Sequence, residues 1–236
     1  MQGAYDEWEN EDWLYSAKKL IQWSSETPMK SRVMLLVRHS HREVIEDNIE
    51  QLSTELTPLG FRMSTEMGKR LPANRRTWFY FSFVTRCYQT ADQMSKGILE
   101  RGGIVEDLDV LEVLAAPQVS DDRFWTALQP DGENITDFVN MWVEGEFGDM
   151  VEPFENYKER LLNDTIRKLQ SSPDGTLHIH ITHDLAMMAA KSILFGRLVE
   201  VSDREPFLGG IGVMLRNRKG SLYSSGKIYS LENFLE

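Results

Sequence analysis

The chain is poor in cysteine, has fewer basic than acidic residues, and contains no long apolar run. Its single cysteine, Cys87, has no partner for an internal disulfide. The fold must therefore be held by its core, and a reducing compartment is expected. No stretch approaches the roughly 20 apolar residues that a membrane-spanning helix needs, and no membrane association is expected. The opening Met1-Gln2-Gly3-Ala4-Tyr5-Asp6-Glu7 lacks the basic start and apolar centre of a secretory leader. Its acidity also argues against a mitochondrial presequence. Together these absences predict a cytoplasmic protein. The 26 Lys and Arg against 37 Asp and Glu give a formal net charge of -11. Binding to a nucleic-acid backbone needs a broad basic surface, so nucleic acid is not an expected partner. A small phosphorylated ligand stays compatible with that charge, because a few arginines in one cleft can reverse the overall sign locally.

What the sequence does contain is enough apolar material, 41% of 236 residues, for one substantial core. We expect a single domain over 1–236, with an N-terminal helix over about 6–24 and a cap insertion over about 115–160. Trp13, Leu14, Ala17, Leu20 and Ile21 fall on one helical face. Such a stripe usually faces the protein's own core, and docking to a partner is the alternative. Val33-Met34-Leu35-Leu36-Val37 reads as a strand buried on both faces, and it stops at Arg38-His39-Ser40-His41-Arg42. Polar residues at the C-terminal end of such a strand are where open α/β sheets place ligand sites. Thr57-Pro58 predicts a capped helix start, followed by Leu59, Met63 and Met67 at helical spacing. Further strands are predicted at 78–84, 110–114 and 177–182. Helices are predicted around Ala91, Met94 and Ile98, around Ile135, Phe138, Val139 and Trp142, around Leu162, Ile166 and Leu169, and from Leu185 onward. Val213–Leu215 and Ser221–Tyr223 predict a hairpin. The alternation gives an α/β fold, a three-layer sandwich with a mostly parallel central sheet.

All five histidines lie in two short segments, 39–41 and 178–183. A structural role is the default for any one of them and fits His178, which shares a strand face with His180. His39 is different, because Arg38 and Arg42 lie close in sequence. Several cations at one strand end repel one another unless an anion or carboxylates are present, which implies an anionic ligand. A metal site is a second reading. His178-x-His180-x-Thr182-His183-Asp184 is similar to the His-x-His-x-Asp-His motif of metallo-β-lactamase-fold hydrolases, but Thr182 stands in place of the aspartate. No histidine follows residue 183, and nearby arginines would repel a cation.

A third reading uses more of the residues. Leu36-Val37-Arg38-His39-Ser40-His41-Arg42 resembles the Arg-His-Gly segment of the histidine phosphatase superfamily. With Arg42 it is closest to the acid phosphatase branch. Leu56-Thr57-Pro58-Leu59-Gly60, Thr85-Arg86-Cys87-Tyr88-Gln89-Thr90-Ala91 and Thr182-His183-Asp184 match later family segments in order. The resemblance implies a phosphomonoesterase that needs neither metal nor other cofactor. Such an enzyme would act on a small phosphorylated substrate or phosphoprotein through a phosphohistidine on His39. Arg38, Arg86 and Arg42 would clamp the phosphoryl oxygens, and His183 would offset transition-state charge. The general acid would be Asp184, as in the acid phosphatase branch, or Glu112, as in the mutase branch; the former is preferred. Ser40, in place of the usual glycine, would add a small hydrogen-bonding group near the phosphate. A mutase is disfavoured, because Ile45 stands where that motif carries asparagine. A non-catalytic phospho-ligand-binding module of the same fold is the alternative. Cys87 and Trp142 are expected in packing, Trp125 in packing rather than substrate stacking, and Arg123 either at the pocket or on the surface.

Overall fold

The apolar run at 33–37 is the middle of the central strand. In the computed structural model, which describes residues 7–45, 52–217 and 219–231, β1 (Arg32–Arg38) lies inside a seven-stranded sheet of order β3-β2-β4-β1-β5-β6-β7. β2 spans Arg76–Phe81, β3 Ile104–Val110 and β4 Leu177–Thr182. These four strands run parallel, with Leu36 opposite His180 and Arg38 opposite Thr182. β5 (Gly210–Arg216), β6 (Lys219–Ser224) and β7 (Lys227–Ser230) continue from β1 as an antiparallel meander. The predicted hairpin is β5–β6.

Alternation along β1 divides the core in two. Val33, Leu35 and Val37 enter one apolar cluster, and Met34 and Leu36 enter the other. Helices α1 (Tyr15–Glu26), α2 (Pro58–Arg70) and α3 (Thr85–Glu100) cover the first face. α4 (Arg123–Thr126), α5 (Ile135–Val143), α6 (Phe154–Leu162, continued by helical turns to Gln170) and α7 (Asp184–Phe195) cover the second. The result is three layers. The α1 stripe is part of this core: Leu14, Ala17 and Leu20 are fully buried, and Trp23 stacks on Tyr223. Leu14 and Leu20 each contribute roughly 1.5–3 kcal/mol by leaving water.

α2 starts as its sequence dictates. The Thr57 side chain accepts from the Gly60 amide, and Pro58 occupies the first turn. α2 and α3 pack backbone to backbone, because a Cβ at Gly68 would strike the Met94 carbonyl and one at Gly97 the Thr65 carbonyl.

One predicted strand is displaced. The apolar run at 110–114 is not β3. That strand is the charged segment Ile104–Val110, and Glu112–Leu114 forms a helical turn. β3 is a sheet edge, where Glu106 and Asp109 tolerate solvent. Val113 and Leu114 are apolar because the turn drives them into the core. Among the described residues, no helix is long and apolar enough to cross a membrane.

Candidate active site

β1 and β4 end side by side, which brings the two histidine segments together. The rings of His39 and His183 lie with centroids 5.4 Å apart. His39 is buried, and its Nδ1 lies 2.8 Å from the carbonyl oxygen of Ser40. A carbonyl can only accept, so Nδ1 carries the proton and the lone pair resides on Nε2. Burial, followed by the neighbouring Arg86, His183 and Arg38, pushes the His39 pKa well below that of an ordinary imidazole.

His183 is fixed by the same logic. Arg86 Nη2 approaches His183 Nδ1 at 3.1 Å, and Ser82 Oγ lies 2.7 Å from His183 Nε2. A guanidinium only donates, so Nδ1 accepts and the Nε2–H points to Ser82. Ser82 Oγ in turn accepts from the Val84 amide, at the start of α3. Burial, then Arg86, Arg38 and Arg42, hold His183 neutral by depressing its pKa. Arg86 itself is pushed down to about 10, mainly by burial.

The carboxylates interlock with the remaining arginines. Asp184 Oδ1 pairs with Arg38 Nε at 2.7 Å, and Asp184 Oδ2 with Arg204 Nη2 at 2.8 Å. Arg42 Nη2 pairs with Asp131 Oδ1 at 2.6 Å, and Arg204 donates to the Asp131 carbonyl at 2.9 Å. Arg38 also donates to the Glu205 carbonyl at 2.8 Å and lies 4.5 Å above the Phe207 ring. The segment 203–209 forms a strap under the site. Leu208 adopts a left-handed conformation (φ 56) that directs its amide to the Arg38 and His39 carbonyls. A β-carbon-bearing residue there costs on the order of 1–3 kcal/mol, which surrounding contacts must offset.

His39, Arg42, Arg86, His183 and Asp184 line one cavity of about 670 Å³. The family model for the histidine phosphatase superfamily (branch 1) matches residues 34–204, a span that contains every residue of this cluster. The chain belongs to the histidine phosphatase superfamily. Comparison with curated protein sequences gives no significant match. Among solved structures, a phosphoserine phosphatase mutant from Entamoeba histolytica in complex with phosphoserine is similar at TM-score 0.53 and 16% identity, covering 83% of this chain and 96% of that one. The phosphoserine phosphatase from the same organism with 3-phosphoglyceric acid gives TM-score 0.54 and 14% identity, with the same coverages. The product of an open reading frame of Mycobacterium tuberculosis gives 0.51 and 15%, covering 83% and 97%. These likenesses share the fold.

Not every predicted residue of this superfamily member reaches the cavity. Arg38 sits behind it, joined through Asp184. Ser40 is fully buried and turns away, its hydroxyl donating to the Gly60 carbonyl at 2.9 Å and its amide to Thr90 Oγ1 at 3.1 Å. Glu112 is exposed and outside the lining. Arg123 is exposed and paired with Asp121, and Trp142 is buried in the core. Cys87 is buried, and its thiol is pushed up to about 12, mainly by burial. Trp125 packs against the core cluster and Phe124, as expected, and also lines the cavity.

The metal-like histidine set is divided by the strand. His178 and His180 point beneath Tyr80, with ring centroids 5.2 and 4.9 Å away, whereas His183 lies beyond the strand end. Among the described residues, no group of three or more His, Cys, Asp or Glu side chains is placed to hold a metal ion.

Sequence reasoning missed Ser82, Asp131, Arg204 and Phe207. Ser82 directly follows β2, a position that could have been flagged. Asp131, Arg204 and Phe207 sit in irregular segments with no motif, and only the folded chain brings them in.

Proposed function

We propose that this chain is a phosphatase that hydrolyses a phosphomonoester through a phosphohistidine on His39, without a metal ion. The observation that carries this reading is the His39 tautomer. The Nδ1–H bond to Ser40 leaves the nucleophilic lone pair on Nε2, in a ring that burial keeps neutral. Arg42 and Arg86 stand beside it as oxyanion donors, and His183 positions the Arg86 guanidinium.

In the first step Nε2 attacks phosphorus, the ester P–O bond breaks, and the leaving oxygen takes a proton from a carboxylic acid. In the second, water loses a proton to that carboxylate and attacks the phosphohistidine. The N–P bond breaks, giving inorganic phosphate and free His39. Of the two carboxyls considered from sequence, Asp184 is the one in the cavity wall, and it is our assignment for this acid. An incoming phosphate dianion competes with Asp184 for Arg38, which frees Oδ1 and adds Arg38 to the clamp. The segment 115–160 acts as the cap, contributing Trp125, Leu128, Asp131 and Ile135 to the cavity wall.

The test is hydrolysis of para-nitrophenyl phosphate in excess chelator. Wild type should turn over, and His39→Ala should lose about a thousandfold or more in kcat. Rapid quench should trap an acid-labile phosphoenzyme in wild type. Activity retained in a folded His39→Ala protein would sink the mechanism. A folded wild type that binds the ester without turnover would instead favour a phospho-ligand-binding module.

A further inference from the structure

The cavity extends beyond the phosphate-binding groups, and its outer wall is apolar. Ile45, Phe83, Trp125, Leu128, Ile135 and Leu185 supply most of it. Phe83, two residues beyond the end of β2, is 56% exposed and lines the cavity. Charge is distributed just as unevenly. Among the described residues, the arginines in the lining are Arg42 and Arg86, both on the phosphate side, and no lysine lines the cavity. The carboxylates Asp131 and Asp184 are paired with arginines, and Asp122, also in the lining, is exposed. The sequence between Arg42 and Arg62 contains no lysine or arginine, so that stretch supplies no further cation. Arg123, one residue beyond Asp122, is exposed, paired with Asp121 and absent from the lining.

A second anionic group on the substrate would therefore meet apolar side chains and an acidic residue instead of a cation. Burying an unpaired carboxylate in such surroundings is strongly unfavourable. A neutral apolar group, by contrast, loses water-exposed surface against six apolar side chains and can stack on Trp125 or Phe83. A volume of about 670 Å³ accommodates a phosphate and an aromatic ring with its linker.

We infer that the substrate is a monophosphate ester of a neutral, apolar, aromatic-bearing alcohol, with no carboxylate or second phosphate near the ester. This rests on the phosphatase reading above, and it separates this chain from structural neighbours crystallised with phosphoserine and 3-phosphoglyceric acid.

The test compares alkyl phosphates, so that leaving-group reactivity does not mask binding. Phenethyl phosphate, ethyl phosphate, phosphoserine and 3-phosphoglycerate are assayed for kcat/KM. The non-hydrolysable phosphonate analogues of the phenethyl and carboxylated esters are titrated in parallel. Phenethyl phosphate should exceed ethyl phosphate by about tenfold or more, and should exceed both carboxylated esters by a larger factor. Leu128→Arg should narrow or reverse that order, raising kcat/KM for 3-phosphoglycerate while lowering it for phenethyl phosphate. Turnover with equal or better use of the carboxylated esters would overturn the inference and leave the phosphatase reading standing. Absence of turnover with tighter binding of the phenethyl phosphonate would support the pocket's preference and sink the catalytic reading. Failure of both phosphonates to bind would overturn both.

Discussion

His39 is one bond away from a different chemistry. Were its Nδ1 to lose the Ser40 carbonyl, the proton could move to Nε2 and the nucleophile would be gone. Ser40 contributes through its backbone, and its side chain points toward Gly60. This is why a serine is accommodated at a position where a glycine was expected: the space it fills lies behind the site. The same environment sets the pH range. Burial first, then Arg86, His183 and Arg38, lower the pKa of His39 below 6.5. Neutral His39 is the reactive form, so it persists as pH falls through 6.5 and is lost only in more acidic solution. The acid limb of kcat/KM due to this histidine should therefore lie below pH 6.5. A rate profile on a fixed alkyl phosphate from pH 4 to 8 measures it, and a histidine break at 6.5 or above would contradict the assignment.

Helix α7 and the strap show how elements hold the site. α7 opens with Asp184 beside the cavity and ends at Gly196 in a left-handed cap (φ 63). On its buried side, Lys191 Nζ pairs with Glu205 Oε1 at 2.6 Å, and the second Glu205 oxygen accepts from Ser16 on α1 at 2.5 Å. The Glu205 carbonyl receives Arg38. One residue thus ties together α1, α7 and the arginine beside the nucleophile. Both charges of the pair are almost completely buried, so removing one leaves the other uncompensated. Lys191→Met should destabilise the protein by about 3–5 kcal/mol, read from urea unfolding. Replacing both partners, Lys191→Met with Glu205→Leu, should recover much of that loss. A single variant as stable as wild type would show that the pair does not hold the strap.

Across the whole molecule, four of the five histidines have lowered pKa values: the buried His39, His178 and His180 and the half-buried His183. His178 is pushed down to about 4, chiefly by burial and then by Lys168. For His180, neither ring nitrogen has a hydrogen-bond partner among the described residues. The unfolded chain takes up protons on these groups as pH falls below about 6.5, while the folded chain resists. Their contribution is therefore full above 6.5 and is lost as pH falls through each lowered value, about 4 for His178. His178 alone accounts for on the order of 3 kcal/mol over that window. Denaturant unfolding at pH 7 and pH 4.5 should show a loss of several kcal/mol. Equal stability at both would mean that these side chains are hydrated or protonated in the folded state.

The sequence by itself determined the layers and the location of the chemistry. Val33–Val37 is apolar enough to be read as a strand buried on both faces, Leu177–Thr182 reads as a second strand, and each leads to a histidine segment. Thr57-Pro58 marks a helix start, and the stripes on α1, α5 and α6 read as core-facing, which the structure bears out. These are local consequences of periodicity and capping, legible without a third dimension. The tertiary structure alone decided what depends on distant segments meeting. It made the charged 104–110 segment the edge strand, because an edge tolerates charge that a centre would not. It moved Glu112 away from the cavity and brought in Asp131, Arg204 and Phe207 from segments with no pattern to read. It also divided the histidines of one strand into two buried in the core and one at the cavity, because side chains alternate along a strand while the residue beyond its end is free to turn.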